Sequence, residues 1–238
     1  MNLYFLVEGV AELKVYPIWI EYLLNSKISR SNDYTQMSPD QYYIFSGGGA
    51  GNMIHNAIGN AIEEIASNPV FDYFVVVIDA EDDSVATRKR RVEDAISDAA
   101  VELPANCHVQ ILVQKVCFET WLCGHIQCYQ SAKASSNKNI RMYVDDYDVE
   151  IQDPEAMPAN PAGRSTLNHL SIGKYHSCYL HHMLKASYPN IPYTKSRADQ
   201  IVDTAYLADL IYRLNTTPAH LSSFQQLFSL TDTMKAQL

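Results

Sequence analysis

Four acidic side chains follow an aliphatic run in the first half of the chain. The run is Val75–Ile78, and the carboxylates that come after it are Asp79, Glu81, Asp82 and Asp83. A continuous aliphatic run is typical of a strand buried on both faces in a parallel sheet. Carboxylates crowded at the end of such a strand repel one another unless water, a lysine or a cation neutralises them. The stretch is therefore either a solvated loop or part of a metal site.

Further carboxylates stand at comparable places. Glu8 ends an apolar segment near the N-terminus, Glu12 lies four residues later, and Glu119 lies just beyond another apolar segment. Ligands of open parallel sheets bind beyond the carboxyl ends of the strands, so these side chains converge if the strands are neighbours. Hard divalent cations such as Mg²⁺ take carboxylate oxygens and waters, usually with one or two carboxylates per ion. The residues that could hold one or two such ions are Glu8, Asp79, Glu81 and Asp83.

Strand patterns that alternate with helical patterns must position these residues. The predicted strands are "NLYFLVEG", "QYYIFS", "DYFVVVID" and "HVQILVQKV". This alternation predicts right-handed crossovers and an α/β fold with a mostly parallel sheet flanked by helices. Pro17 falls inside the first helical pattern, where we expect a kink or a break.

The composition changes near Ser131, where polar, proline-rich and acidic stretches begin. We therefore predict an α/β core over residues 1–130. Residues 131–238 are predicted to form a polar loop region and a helical C-terminal extension packed on that core.

The overall composition favours a packed protein. The chain has 238 residues, of which 47% are hydrophobic and 11% aromatic, enough for one large domain or one domain with a small appendage. Its net charge of -9 argues against a surface that coats nucleic acid generally, although a local basic patch with bound cations could still meet nucleic acid.

Several features indicate the cytosol and no membrane partner. The five cysteines are an odd number without repeated spacing, as expected of free thiols in a reducing compartment. No apolar run is long enough to span a bilayer, and the N-terminus lacks the basic start of a signal peptide.

Three short motifs together resemble the Toprim domain of topoisomerases, DnaG-type primases and nucleases of the OLD (overcoming lysogenization defect) family. The motifs are "VEGVAE" after the first strand, "DAED" after the third and "FETW" beyond the fourth. The resemblance implies a Toprim-like (Rossmannoid) fold in which Glu8 and Asp79 bind Mg²⁺ or Mn²⁺. Glu81 stands where the family has a second aspartate, and Asp83 is the alternative for that role.

The whole chain is similar to a smaller group of bacterial Toprim-like proteins of unassigned function, often encoded beside ATPases and linked to phage defence. Glu119 and Trp121 match a Glu-x-Trp pair of that group, and Tyr193 and Lys195 match a Tyr-x-Lys pair. The resemblance implies metal-dependent cleavage of DNA or RNA, with an ATPase as a further partner. The implied catalytic residues are Glu8, Glu12, Asp79, Glu119 and Lys195.

Other interpretations remain open. The chain could be a non-catalytic Toprim-like subunit that binds or regulates an ATPase of a defence system. The turn Ser46–Asn52 ("SGGGAGN") suggests a phosphate loop but lacks the Gly-Lys-Ser/Thr that a P-loop requires. The basic run Arg88–Arg91 could contact phosphates or simply be a solvated helix face. The Cys and His residues lack the spacing of a structural zinc site.

Overall fold

The computed structural model describes residues Met1–Leu238, which form two compact units. The first, here called the sheet unit, contains Met1–Asp79, Ser84–Val113 and Gln226–Leu238. The second, the helical unit, contains Ala80–Asp83 and Gln114–Gln225. The predicted boundary between core and extension near residue 131 stays a prediction, because compact units of a structure need not coincide with its folding domains.

The sheet has five parallel strands in the order β2-β3-β1-β4-β5. The strands are β1 (Leu3–Val7), β2 (Ser29–Arg30), β3 (Gln41–Ser46), β4 (Tyr73–Asp79) and β5 (His108–Gln114). The predicted α/β class, with its parallel sheet, flanking helices and helical C-terminal part, is confirmed. Strand β2 was not predicted, because two exposed polar residues carry no strand pattern.

The two central strands explain the continuous apolar runs in the sequence. Every residue of β1 and of β4 is buried, and the two strands pair with Leu3 beside Tyr73 and Val7 beside Val77. By contrast, β3 alternates partly exposed and buried residues over most of its length. Burial on both faces is what a central parallel strand requires, so the aliphatic runs mark the middle of the sheet.

Four α-helices accompany the strands of the sheet unit. They are α1 (Val10–Leu23), α2 (Ala50–Asn52), α3 (Ile58–Ser67) and α4 (Val85–Ser97), and a π-helical segment at Met53–Ala57 joins α2 to α3. Helix α1 contacts β3, while α3 contacts β1 and α4.

Helix α1 continues through Pro17, so the helix does not break there, and the alternative of a kink stays a prediction. A proline within a helix costs about 3 kcal/mol, because it removes one hydrogen bond and crowds the preceding turn. Tyr16, Trp19 and Ile20 are fully buried around Pro17, and the burial of such side chains offsets that cost.

The helical unit is organised around one long helix. Its helices are α5 (Phe118–Leu122), α6 (Ile126–Lys133), α7 (Lys138–Asp146), α8 (Ile172–Ser187), α9 (Asp199–Val202) and α10 (Thr204–Thr216), and α11 (Ser222–Lys235) begins in this unit. Helix α8 contacts α5, α6 and α7. None of the helices is both long enough and apolar enough to cross a bilayer.

His176 ties α8 to α5 inside the helical unit. The ring is fully buried, and its Nε2 lies 2.8 Å from the Met157 carbonyl oxygen, so Nε2 carries the proton and donates. Nδ1 must therefore accept from the Thr120 hydroxyl, 2.7 Å away. Burial lowers the pKa of His176 to about 4, although the hydrogen bond to Met157 opposes this shift.

This histidine should make the protein less stable in acid. The pKa of His176 is about 4 when folded against 6.5 for an ordinary histidine, so between these values the unfolded chain binds more protons. The free energy of unfolding should fall as the pH drops from 6.5 to about 4, by on the order of 3 kcal/mol from this residue. We expect His176→Gln to flatten this part of the pH profile, as measured by urea unfolding.

The exposed His169 provides the matched control. His169→Gln should leave the pH profile of the wild type unchanged. Equal slopes for His176→Gln and the wild type would show that His176 is not held neutral in solution.

Candidate functional site

The strand order of the sheet reverses at β1. From β1 the chain passes to β3 on one side, and from β3 it crosses over to β4 on the other side of β1. In doubly wound sheets ligands bind outside the carboxyl ends of the strands at this reversal. The carboxyl ends of β1 and β4 are therefore where a ligand of the sheet unit is expected.

Glu8 and Asp79 occupy this position. Glu8 comes directly after β1, Asp79 is the last residue of β4, and Oε2 of Glu8 accepts a hydrogen bond from the Asp79 N–H at 2.9 Å. Only 9% of Glu8 and 4% of Asp79 is exposed. The structure thus brings these two predicted site residues together, and their role as ligands stays a prediction.

Glu12 turns back towards the start of α1. It is 4% exposed, and its Oε2 lies 3.0 Å from where a Cβ on Gly9 would be. A side chain at residue 9 would require the Glu12 carboxylate to shift by a few tenths of an ångström. A carboxylate in the first turn also interacts favourably with the helix dipole, so this placement suits a structural role as well as a functional one.

The donors at the end of β1 and β4 fit a hard divalent cation. Mg²⁺ is commonly bound through one or two carboxylates, with waters and substrate oxygens as its other ligands, and Glu8 and Asp79 supply that number. No group of three or more His, Cys, Asp or Glu side chains is placed to surround a metal ion. Glu8 and Asp79 are therefore candidates for an open two-carboxylate site.

The glycine turn after β3 uses its backbone N–H groups internally. The N–H of Gly47 donates to the Val7 carbonyl at 2.7 Å, and that of Gly49 donates to the Glu8 carbonyl at 2.9 Å. A Cβ on Gly47 would lie 2.8 Å from Cγ of Met53, so the turn also packs tightly on the helix that follows. These two amides therefore fix the end of β1 and are not available to a phosphate.

The other two predicted metal ligands, Glu81 and Asp83, belong to the loop Ala80–Asp83 of the helical unit. Glu81 is exposed and has a left-handed backbone with φ of 53°, and its N–H donates to the Val116 carbonyl at 2.7 Å. A non-glycine residue rarely adopts this conformation, so surrounding contacts must hold it there. Asp82 is exposed, as expected of a solvated loop residue.

Within the helical unit a cavity of about 430 Å³ adjoins this loop. The residues that line it are Glu81, Asp82, Asp83, Lys115, Val116, Glu155, Ala156, Met157, Pro158 and Ile172.

Glu155 was not predicted as an important residue. It is 3% exposed, and its Oε1 accepts from the N–H and the hydroxyl of Ser223 at 2.9 and 2.5 Å. Its Oε2 accepts from the Ser222 hydroxyl at 2.9 Å. Glu155 therefore anchors the first turn of α11, where negative charge is favoured. Nothing in the sequence separates it from the neighbouring loop carboxylates.

Glu119 and Lys195 form an ion pair in the helical unit. Glu119 lies on α5 and is 1% exposed, and Nζ of Lys195 lies 3.5 Å from its Oε1. Trp121, on the same helix, donates from its indole to the Ser223 hydroxyl at 2.7 Å. The two short motifs that carry Glu119 and Lys195 thus meet in space, although they are far apart in the sequence.

The basic run on α4 divides into two kinds of residue. Arg88 is buried, whereas Lys89, Arg90 and Arg91 are exposed. Lys89 lies 4.0 Å from Glu93 in a surface ion pair of the kind that contributes little to stability.

The cysteines and histidines serve mainly the interior of the helical unit. Cys123 and Cys128 are buried, and burial raises the pKa of Cys128 to about 11, which keeps that thiol protonated. His125 caps the start of α6 by accepting the Cys128 N–H at 3.3 Å.

Comparison with models of known protein families finds no match. Comparisons with curated proteins and with solved structures find no match either. The class that the fold and the site define is an α/β protein with a parallel sheet and two buried carboxylates where its strand order reverses. The resemblance to Toprim proteins stays a prediction.

The hydrogen bond between Glu8 and Asp79 can be tested by stability. Glu8→Gln keeps a side-chain oxygen for the Asp79 N–H, whereas Glu8→Met keeps the length of the side chain but has no comparable acceptor. Because a buried N–H without a partner costs about 1–3 kcal/mol, we expect Glu8→Met to be less stable than Glu8→Gln by that amount. Urea unfolding followed by circular dichroism measures the difference. Equal stabilities would show that the bond does not hold β1 to β4.

Proposed function

We propose that the protein is a metal-dependent nuclease of the Toprim type that cleaves phosphodiester bonds in DNA or RNA. The observation that carries this proposal is the pair Glu8 and Asp79, buried and adjacent at the carboxyl ends of β1 and β4. Buried carboxylates at a ligand-binding edge are candidates for a functional site. Mg²⁺ or Mn²⁺ is the proposed cofactor.

In this proposal Glu8 and Asp79 hold the metal ion through their carboxylate oxygens. When bound, the ion would activate a water molecule and stabilise negative charge on the phosphate. The Asp79 N–H orients the Glu8 carboxylate by donating to its Oε2. The tight glycine turn supports this arrangement, because its amides fix the backbone of Val7 and Glu8.

The resemblance gives further roles to residues that the structure describes separately. Glu81 or Asp83 would be an additional ligand, and Glu12 and Glu119 would serve a second ion or act as bases. Lys195 would stabilise the developing negative charge on the phosphate. Its side chain is 59% exposed, so its ammonium group is accessible to a substrate although it lies near Glu119.

The biological setting is part of the proposal and rests on the resemblance alone. It is anti-phage defence in a bacterium, with nucleic acid as substrate and an ATPase as protein partner.

A second candidate function is a non-catalytic subunit that binds or regulates such an ATPase. The exposed, left-handed Glu81 favours this candidate, because the residue departs from the aspartate of the Toprim motif and has the backbone of a constrained turn.

The two candidates differ in their response to isosteric changes of the carboxylates. We expect the wild type to bind Mn²⁺ or Mg²⁺ in calorimetry and to cleave plasmid DNA or total RNA, with cleavage stopped by a chelator. Glu8→Gln and Asp79→Asn should each weaken metal binding and cleavage by at least about tenfold, because direct ligands should matter no less than their outer-shell partners. Both variants should remain folded, since each keeps a hydrogen-bonding side chain of the same size.

Asp82→Asn is the matched control, because it removes one exposed carboxylate a few residues further along the chain. It should leave binding and cleavage unchanged. A wild type that binds no metal at millimolar concentration and cuts neither substrate would overturn the nuclease proposal and favour the partner-binding candidate.

A further inference from the structure

One long segment of the chain contains no acidic residue. Residues 156–198 include five of the 18 lysine and arginine residues and none of the 27 aspartates and glutamates. The segment also contains four of the eight histidines. In a chain of net charge -9 this acid-free segment is a local exception, and all of it belongs to the helical unit.

Helix α8, which lies within this segment, has a buried face and a polar face. The buried face packs into the helical unit through Tyr175, His176, Tyr179, Leu180, Met183 and Leu184. The polar face carries Lys174, Ser177, Cys178, His181 and His182. These positions are spaced by three or four residues, so their side chains lie along one side of the helix.

A cavity of about 320 Å³ lies between this polar face and the residues Tyr193–Lys195. The lining residues are Lys174, Ser177, Cys178, His181, His182, Tyr193, Thr194 and Lys195. Its second wall is held in place, because the Tyr193 carbonyl lies 3.3 Å from Nδ1 of His181 and the Tyr193 side chain is buried. Thr194 and Arg197 close a tight turn through two backbone hydrogen bonds of 3.2 and 2.8 Å.

The lining is suited to an anion. The lining residues include two lysines, three residues with hydroxyl groups and two histidines, and none of them carries a carboxylate. Glu119 offsets part of the charge of Lys195, which lies 3.5 Å from it, whereas the Lys174 ammonium forms no ion pair. Lys174 is therefore the strongest uncompensated charge at the cavity.

The state of His182 agrees with a positive local potential. Its ring stacks on Tyr143 with centroids 4.7 Å apart. Burial first, and then electrostatic interactions with His181 and Lys185, lower the pKa of His182 to about 4.

We propose that this cavity binds a phosphate group through Lys174, His181, Lys195 and the hydroxyls of Ser177 and Thr194. Ammonium and hydroxyl donors around a recess are the groups that proteins use to hold phosphate oxygens. The volume is sufficient for a phosphate with its attached sugar. The phosphate belongs either to a nucleic-acid strand or to a free nucleotide. The binding requires no metal ion, so it can be tested separately from the proposed nuclease activity, with which it shares Lys195.

Cys178 provides a direct probe of the cavity. It is the one partly exposed cysteine, and the other four are buried, so a thiol reagent should react with it first. In a chelating buffer, inorganic phosphate should slow this reaction in a saturable way, whereas chloride at the same ionic strength should not. The phosphate concentration that halves the rate of thiol modification then measures the affinity of the cavity for phosphate in each variant.

Lys174→Glu should raise that concentration at least tenfold, because it replaces the main attractive charge with a repulsive one. Lys138→Glu is the matched control, since Lys138 is an exposed lysine of the same unit that does not line the cavity. It should change the concentration less than twofold. Both lysines are exposed, so both variants should keep the circular dichroism spectrum of the wild type.

Two ligands distinguish the sources of the phosphate. Tighter protection of Cys178 by a short single-stranded oligonucleotide than by adenosine monophosphate identifies a nucleic-acid strand, and the reverse order identifies a free nucleotide. The proposal is overturned if none of the three phosphate compounds protects Cys178. It is also overturned if Lys174→Glu and Lys138→Glu weaken protection equally, because the binding then reflects only the total charge of the protein.

Discussion

The sheet unit depends on one constraint. Carboxylates at the ends of its two central strands must be held in the protein interior, away from water. Strands β1 and β4 are buried throughout, yet the chain continues from them directly into Glu8 and Asp79. The hydrogen bond from the Asp79 N–H to Glu8 satisfies one of these groups and joins the two strands where their order reverses. The glycine turn and the backward-turned Glu12 crowd the same end of β1, which leaves little freedom in the position of these acids.

The central part of this arrangement could be predicted from the sequence. Continuous aliphatic runs occur where both faces of a strand are buried, so β1 and β4 and the acids at their ends were recognisable. The edge strand β2 could not be recognised in the sequence, because its formation depends on pairing with β3 and not on its own two residues. The helix does not break at Pro17 for a similar reason. The packing of distant residues around α1 outweighs the local free-energy cost of the proline.

The helical unit shows more clearly what a sequence leaves open. Glu155 binds residues of the start of α11 that are 67 and 68 positions away, and His176 accepts a hydrogen bond from a residue 56 positions away. Such hydrogen-bond partners depend on tertiary structure, and no local sequence pattern predicts them. The resemblance named Glu119 and Lys195 as site residues but did not predict that they pair, and the cavity beside α8 required the positions of both of its walls.

The π-helical segment at Met53–Ala57 reconciles two packing requirements that a uniform α-helix would not meet together. Met53 must lie against Gly47 to close the turn after β3, while Ile58, Ala61, Ile62 and Ile65 must face the interior further along. A π turn holds one more residue than an α turn, so it rotates the second group relative to the first without bending the chain away from the sheet. The insertion or deletion of one residue in this segment would therefore alter only the rotation of one half of the helix relative to the other.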